Sequence, residues 1–361
     1  MTWTAVGVMM GMMTLIRSSV ERIIDANLDR AREGLRVLED MARFALDDAN
    51  ISGRLKDMRH RLVLKDMASD LLTARDAGGD TAAFLNTQEE SARPDLFSVL
   101  EANAKRTQES LRVLEEMGKL LPQTVPFKEL RFALYDVEKE MASRLLRREK
   151  AAGIKGLYVI IDGQALRGRT EMEVARAAIA GGGRVIQFRD KVREKGLLLP
   201  LAVALRELCA RAGVIFLIND HLDLALAAGA DGVHVGQKDL PVNVARRQLP
   251  VDAIVGCSTN NPDEARRAVE QGADYVAVGA LFPTSSKADI RPANLQVLAA
   301  VRQAVTLPIV GIGGINAGNA ASAMAAGADA VAVISAVCSV SDPESAARAL
   351  AKIVSDTRTG T

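Results

Sequence analysis

Residues 308–336 read PIVGIGGINAGNAASAMAAGADAVAVISA. A short run of β-branched and small residues (308–314) ends in Gly313-Gly314. An Ala-rich stretch with helical character (317–326) follows, then Gly327-Ala328-Asp329, then a second β-branched run (330–336). This is one strand–helix unit and the strand after it. Gly is the expected residue just past a helix end, and here the next strand starts at once. The tripeptide Gly-Ala-Asp recurs at 229–231 and 272–274, each time between a helical stretch and a β-branched run. Working outward gives eight candidate strands, at 156–162, 184–190, 214–220, 232–236, 254–259, 275–281, 308–314 and 330–336. Helical patterns at 170–180, 198–212, 262–271 and 317–326 lie between them. Eight such units in about 200 residues predict a closed α/β barrel, the (β/α)8 TIM barrel, over residues 151–361.

The part before residue 151 has a different character. Gly is sparse, and Leu, Arg, Glu and Ala recur at helical spacing. Residues 26–40 (ANLDRAREGLRVLED) repeat as 102–116 (ANAKRTQESLRVLEE), and 56–59 (KDMR) is echoed by 128–131 (KELR). The spacing predicts an all-α domain over 18–150 with an internal two-fold repeat. Leu35, Leu38 and Ala42, with Leu111 and Leu114 in the second copy, supply the apolar stripe. Arg30, Glu33, Arg36 and Glu39 step by three along one face and can pair. A loop is expected at 77–81 and a polar stretch at 86–94. Residues 1–17 carry no charge before Arg17 and stand apart as an apolar, disordered extension. The run is too short to span a bilayer, and it lacks the basic residues that open a secretory signal.

A chain of 361 residues exceeds what one hydrophobic core usually serves, which suits two domains. The net charge of +1 gives no field that would draw nucleic acid or a membrane surface. Eight Phe, three Tyr and one Trp are too few for a base-stacking platform. The three cysteines, Cys209, Cys257 and Cys338, are far apart, which fits a reducing cytoplasm and neither a disulfide framework nor a structural zinc site.

In a TIM barrel the chemistry sits at the carboxyl ends of the strands. The second candidate strand ends Gln187-Phe188-Arg189-Asp190-Lys191, and alternation puts Gln187, Arg189 and Lys191 on one side. Two cations and an amide suit an anionic substrate, although a salt-bridged rim with Asp190 as partner is the plainer use. The third ends Asn219-Asp220, and Asp239 follows the fourth. Neighbouring carboxylates beside cations suggest Mg2+ held with substrate phosphate oxygens. Alternatively, Asp220 caps a helix and Asp239 fixes the turn before Pro241. Ser258 ends the fifth strand as a hydrogen-bond donor, with no His or Asp placed to make it a nucleophile. Thr259 or Asn261 caps the next helix. The loop after the sixth carries Thr284, Ser285, Ser286 and Lys287 as a polar lid. Gly313-Gly314 and Ile334-Ser335 end the seventh and eighth, where such barrels bind phosphate through backbone N–H groups. Two anion sites result, one phosphate-sized and one suited to a Mg-pyrophosphate. A ligation that expels pyrophosphate fits both.

These residues resemble the thiamine phosphate synthase family. The resemblance runs from about Gly156 to Ala346 and rests on 187–191 (QFRDK), 218–220 (IND), 232–237 (GVHVGQ), 279–287, 311–315 and 333–336. It implies that hydroxymethylpyrimidine diphosphate is joined to a thiazole phosphate, with release of pyrophosphate by a dissociative displacement. Gln187, Arg189, Lys191, Asn219, Ser258 and Lys287 would then contact the pyrimidine diphosphate, and Asp220 and Asp239 would bind Mg2+. Thr284, Ser286, Gly314, Ile334 and Ser335 would hold the thiazole phosphate, Lys287 and the metal would stabilise the leaving pyrophosphate, and Lys287, Arg189 and Ser258 would be the catalytic residues. No general base is required. Asp190 stands where Glu is common and Ser286 where Thr is common, and both keep the functional group.

The N-terminal repeat resembles a helical domain fused to some members, to which a hydroxymethylpyrimidine phosphate kinase activity is assigned. ATP would then be a further substrate, and Asn27, Arg30, Glu33 and Arg36 with Asn103, Arg106, Glu109 and Arg112 are its candidate ligands. No GxxxxGK[ST] loop is present, and a dimerisation scaffold in a homo-oligomer explains the same residues. Two rivals are weighed against the synthase. A thiazole tautomerase would not need Gln187, Arg189, Lys191 and the carboxylates. A non-catalytic precursor sensor would bind without turnover.

Overall fold

A computed structural model describes residues 3–76, 78, 92–121, 126–284 and 291–359, with backbone alone for 3–16, 65, 358 and 359. The loop expected at 77–81 and most of the polar stretch at 86–94 lie outside the described residues, as do Ser285, Ser286 and Lys287. The chain forms two compact units, Met1–Leu146 and Arg147–Thr361.

The first unit is helical: α1 (Trp3–Asp40), α2 (Ala49–Arg61), α3 (Ala68–Ala74), α4 (Leu96–Met117) and α5 (Phe127–Ala151). Residues 3–17, read from the sequence as a disordered extension, are instead the start of α1. No proline interrupts that run, so nothing in it stops a helix. The boundary also differs from the one expected at 150–151. Arg147 pairs with Asp274 and Lys150 with Asp252 at 2.9 Å, so the last turn of α5 packs with the barrel. Among the described residues no helix is long and apolar enough to cross a membrane.

The sequence repeat is a repeat of bonds. Asn27 Nδ2 donates to the Ile23 carbonyl and Asn103 Nδ2 to that of Val99, both at 2.8 Å. Arg59 pairs with Glu39 at 3.1 Å, and Arg131 with Glu115 at 2.8 Å. Arg36 bridges Glu39 and Asp40 as Arg112 bridges Glu115 and Glu116. Leu35, Leu38, Ala42, Leu111 and Leu114 are buried together, as their spacing predicted. The two repeat helices cross closely at Gly34, where a Cβ would stand 2.2 Å from Thr107 Oγ1. A larger residue there would force the helices apart.

In the second unit eight parallel strands close in sequence order, β1-β2-β3-β4-β5-β6-β7-β8. They are β1 (Gly156–Asp162), β2 (Gly183–Arg189), β3 (Ile215–Asn219), β4 (Gly232–Val235), β5 (Ile254–Thr259), β6 (Tyr275–Val278), β7 (Ile309–Ile312) and β8 (Ala330–Val333). The outer helices are α6 (Glu171–Ala180), α7 (Lys195–Ala212), α8 (Leu222–Ala228), α9 (Val242–Gln248), α10 (Pro262–Glu270), α11 (Leu295–Ala304), α12 (Ala320–Ala325), α13 (Ser335–Cys338) and α14 (Pro343–Thr359). A capping box of Thr170 and Glu173 starts α6, and Asn261 caps α10.

Alternation sorts the strand side chains. Ile186, Phe188, Val233 and Val255 face the helices, whereas Tyr158, Val185, Leu217, Ile254, Tyr275 and Val310 fill the barrel. The Gly-Ala-Asp tripeptides do more than stop helices. Each Asp N–H donates to a strand carbonyl, and its carboxylate accepts the N–H of that same residue. Asp231 pairs so with Phe216, Asp274 with Val255 and Asp329 with Ile309, the N–H to carboxylate distances being 2.7–2.9 Å. These bonds clamp the entry ends of β3, β5 and β7.

Asp274 is the most demanding of the three, since its carboxylate also takes Arg147 and Arg246. Asp274→Ala leaves a buried N–H and two guanidinium groups without their acceptor, and should cost about 3–5 kcal/mol. Asp329→Ala should cost about 1–3 kcal/mol. The exposed Asp263→Ala should stay within about 0.5 kcal/mol. Urea or thermal melts would check this order, and equal effects at all three positions would contradict it.

Candidate active site at the barrel mouth

At the carboxyl ends of the strands lies a cavity of about 280 Å³. Arg189 and Lys191 from β2, Asn219 and Asp220 from β3, and Asp239 from the loop after β4 line one side. Ser258 closes β5, and Thr284, Gly314, Ile334 and Ser335 line the other side. The strand-end residues singled out in the sequence therefore share one space, with two qualifications. Gln187 does not line the cavity. It lies one inward step below Arg189 on β2, buried, and its Nε2 has no hydrogen-bond partner among the described residues. Ser286 and Lys287 lie outside the described residues.

The ion pairs differ from a simple rim. Arg189 pairs with Asp162 at the end of β1, not with Asp190. Asp190 accepts from the backbone N–H groups of Val192 (2.9 Å) and Arg193 (2.8 Å) and pairs with the Arg193 side chain, so it shapes the loop. Lys191 reaches Asp220 at 3.2 Å.

Asp220 does not cap α8, whose N-cap is His221. Its φ of 61° puts it in the left-handed region, which Asp and Asn tolerate better than most residues, and its N–H donates to the His234 carbonyl at 2.8 Å. Burial, then the adjacent Asp239 carboxylate, push the Asp220 carboxyl above its usual range, with Lys191 opposing. Asp239 itself accepts the Gly236 N–H at 2.8 Å, so it does fix its turn while facing Asp220. Two carboxylates forced together offer oxygen ligands to a hard cation. Among the described residues no group of three or more His, Cys, Asp or Glu could hold a metal by protein ligands alone. A divalent ion here would complete its shell with water or with substrate oxygens, as Mg2+ commonly does.

Ser258 requires a correction. The sequence offered it no histidine, yet His234 Nε2 lies 2.9 Å from Ser258 Oγ. His234 sits on β4 with its side chain in the barrel, and its Nδ1 is 2.9 Å from Tyr275 Oη. Residues 232–237 are among those that carry the family resemblance, and the inward phase of His234 is readable from alternation. What sequence could not show is which side chain of β5 it meets. Gln237, whose Nε2 donates to the Ser258 carbonyl at 2.7 Å, was missed likewise.

Across the mouth, Gly313 and Gly314 both have positive φ, 96° and 65°. A Cβ on Gly314 would stand 2.5 Å from the Pro283 carbonyl oxygen. These glycines therefore let the β6 and β7 loops pack together, and the same bareness leaves backbone facing the cavity. Arg291, held by Glu264 at 2.6 Å, and Asn260 complete the lining and were not foreseen.

A closed eight-stranded barrel with cations, paired carboxylates and a glycine-lined rim at its carboxyl face is a phosphate-handling (β/α)8 enzyme. Residues 157–337 match the family described as thiamine monophosphate synthase, and residues 22–140 match the ThiD2 family. The chain belongs to the thiamine-phosphate synthase family and is a transferase. The thiamine-phosphate synthase of Thermosynechococcus vestitus is 40% identical over 93% of this chain and 95% of its own. That of Methanocella arvoryzae is 51% identical, over 56% of this chain and 96% of its own. A solved structure, the thiamine phosphate pyrophosphorylase from Pyrococcus furiosus, matches at 36% identity with a TM-score of 0.53, over 57% of this chain and 98% of that one. The match to the synthase family lies within the barrel unit.

Proposed function

We propose that the mouth holds the pyrimidine diphosphate over β2 to β5 and the thiazole phosphate over the ends of β6 to β8. The observation that carries this reading is the pair Asp220–Asp239, facing each other beside Lys191 and Arg189 in one cavity. Arg189 and Lys191 would grip the diphosphate and Ser258 would donate a hydrogen bond to it, Asn219 would orient the pyrimidine end, and Gln187 would support Arg189 from below. Mg2+ would be held by Asp220 and Asp239, and when bound it neutralises charge on the diphosphate oxygens. Thr284 and Ser335, with the backbone at Gly314 and Ile334, would hold the thiazole phosphate. Ser286 and Lys287 belong to the same reading, in the loop after β6.

The bond from the pyrimidine methylene carbon to oxygen breaks, and both electrons leave with pyrophosphate. The thiazole nitrogen then gives its lone pair to that carbon. No proton need be abstracted, so the chain's task is charge stabilisation and positioning. Asp220→Asn keeps a residue that tolerates the left-handed backbone and removes one charge. Synthase turnover should fall by at least about 100-fold while the melting temperature is kept. A normal rate would remove Asp220 from the site.

For the N-terminal unit, the match to the ThiD2 family supports a kinase-like role toward the pyrimidine monophosphate. Of its candidate ligands, Asn27, Arg36, Asn103 and Arg112 are spent on bonds within their own helices. Those bonds favour the scaffold reading for these residues. Arg30, Glu33, Arg106 and Glu109 are exposed and remain for a ligand. An assay with two arms separates the readings. The full chain with thiazole phosphate receives either the pyrimidine diphosphate or the monophosphate with ATP. Thiamine phosphate in both arms is the expected result, and product in the first arm alone would leave the unit as a scaffold.

A further inference from the structure

Four side chains form a hydrogen-bonded line from the cavity wall into the barrel core. Ser258 Oγ lies 2.9 Å from His234 Nε2, His234 Nδ1 lies 2.9 Å from Tyr275 Oη, and Tyr275 Oη lies 3.1 Å from Tyr158 Oη. Both tyrosines are buried, with exposures of 2% and 0%. Space has been made for the Tyr275 phenol. A Cβ on Gly256, which faces inward from β5 between Ile254 and Ser258, would stand 2.0 Å from Tyr275 Cζ and 2.3 Å from its hydroxyl. Any larger residue at 256 would displace the group that touches His234.

The line has a direction. Burial raises both phenols well above their ordinary range, so each keeps its one proton to donate. Tyr158 is the inner end, and among the described residues its hydroxyl has one hydrogen-bond partner, Tyr275. A buried O–H without an acceptor costs more than a lone pair without a donor, so Tyr158 donates to Tyr275. The Tyr275 proton is then directed to His234 Nδ1, which must be the bare nitrogen. The ring proton is left on Nε2 and points at Ser258 Oγ. Ser258 therefore accepts from within, and its own proton is turned toward the cavity.

We propose that Tyr158 and Tyr275 are positioning residues for the synthase: they fix His234 as the Nε2–H tautomer, so that Ser258 offers its hydroxyl proton to the bound diphosphate substrate. The final step rests on the placement of that substrate proposed above. The tautomer does not depend on it.

The experiment is long-range 1H–15N correlation on the full chain labelled at histidine, which reports the protonated nitrogen of each ring. The chain has only three histidines, His60, His221 and His234, and loss of one signal set in His234→Gln assigns the third. The wild type should show the Nε2–H pattern for His234. Tyr275→Phe removes the donor to Nδ1 and should shift the 15N resonance of that bare nitrogen toward the value of an unbonded one. Tyr158→Phe, which keeps Tyr275 in place, should shift the same resonance less and serves if the first variant does not fold. An Nδ1–H or doubly protonated ring in the wild type would overturn the proposal, as would an Nδ1 resonance unmoved in both variants. Kinetics test the last step separately. In Ser258→Ala the KM for the pyrimidine diphosphate should rise roughly tenfold, the scale of one hydrogen bond to a charged group, with the KM for the thiazole phosphate unchanged. Unchanged KM values for both substrates would uphold the tyrosine line and remove the diphosphate from Ser258.

Discussion

Eight parallel strands can close only if each gives alternate side chains to one shared interior, and this constraint governs what the rest of the second unit can do. At the lower levels the inward positions are apolar and fill the barrel: Ile160, Val185, Leu217, Ile254 and Val310. Nearer the carboxyl ends the same phase delivers Arg189, Asn219, His234, Ser258 and Ile334 to the mouth. The chemistry is thus built on the rigid upper layer of a packed core. Tyr158 and Tyr275 are the exception, polar tips within the apolar layer, and each finds its partner in the other.

The fold was legible because its punctuation is chemical. Gly-Ala-Asp marked the helix ends, and strand starts and lengths followed to within a few residues. The ends of β6, β7 and β8 were read too long, since the chain turns there into loops, or after β8 into α13. The residues on one strand end were also legible, because alternation fixes their side. Pairings between strands were not. Nothing in the order of residues states that Arg189 takes Asp162 rather than Asp190, or that His234 meets Ser258 across a strand boundary. In the helical unit the repeat predicted pairing along each helix. It did not predict that Arg59 and Arg131 would cross to Glu39 and Glu115 from the following helices.

Charge in the mouth is arranged so that the described residues alone leave it unsettled. Asp220 and Asp239 repel, Lys191 offsets only part of that repulsion, and Arg189 is shared with Asp162. A polyanion arriving with a divalent cation would supply both missing partners at once. The opposite side of the mouth has bare glycine backbone and hydroxyls instead, a setting for a single phosphate. On the proposed function this asymmetry lets the mouth take two anions where a barrel with one phosphate site takes one.

The proposed function puts a different anion on each side of the mouth. A crystal structure of the full chain with thiamine phosphate, pyrophosphate and Mg2+ is the decisive measurement. Pyrophosphate is expected between Arg189, Lys191 and a cation on Asp220 and Asp239, with the thiamine phosphate group at Gly314 and Ser335. Both anions on one side, or a cation away from the two carboxylates, would contradict it.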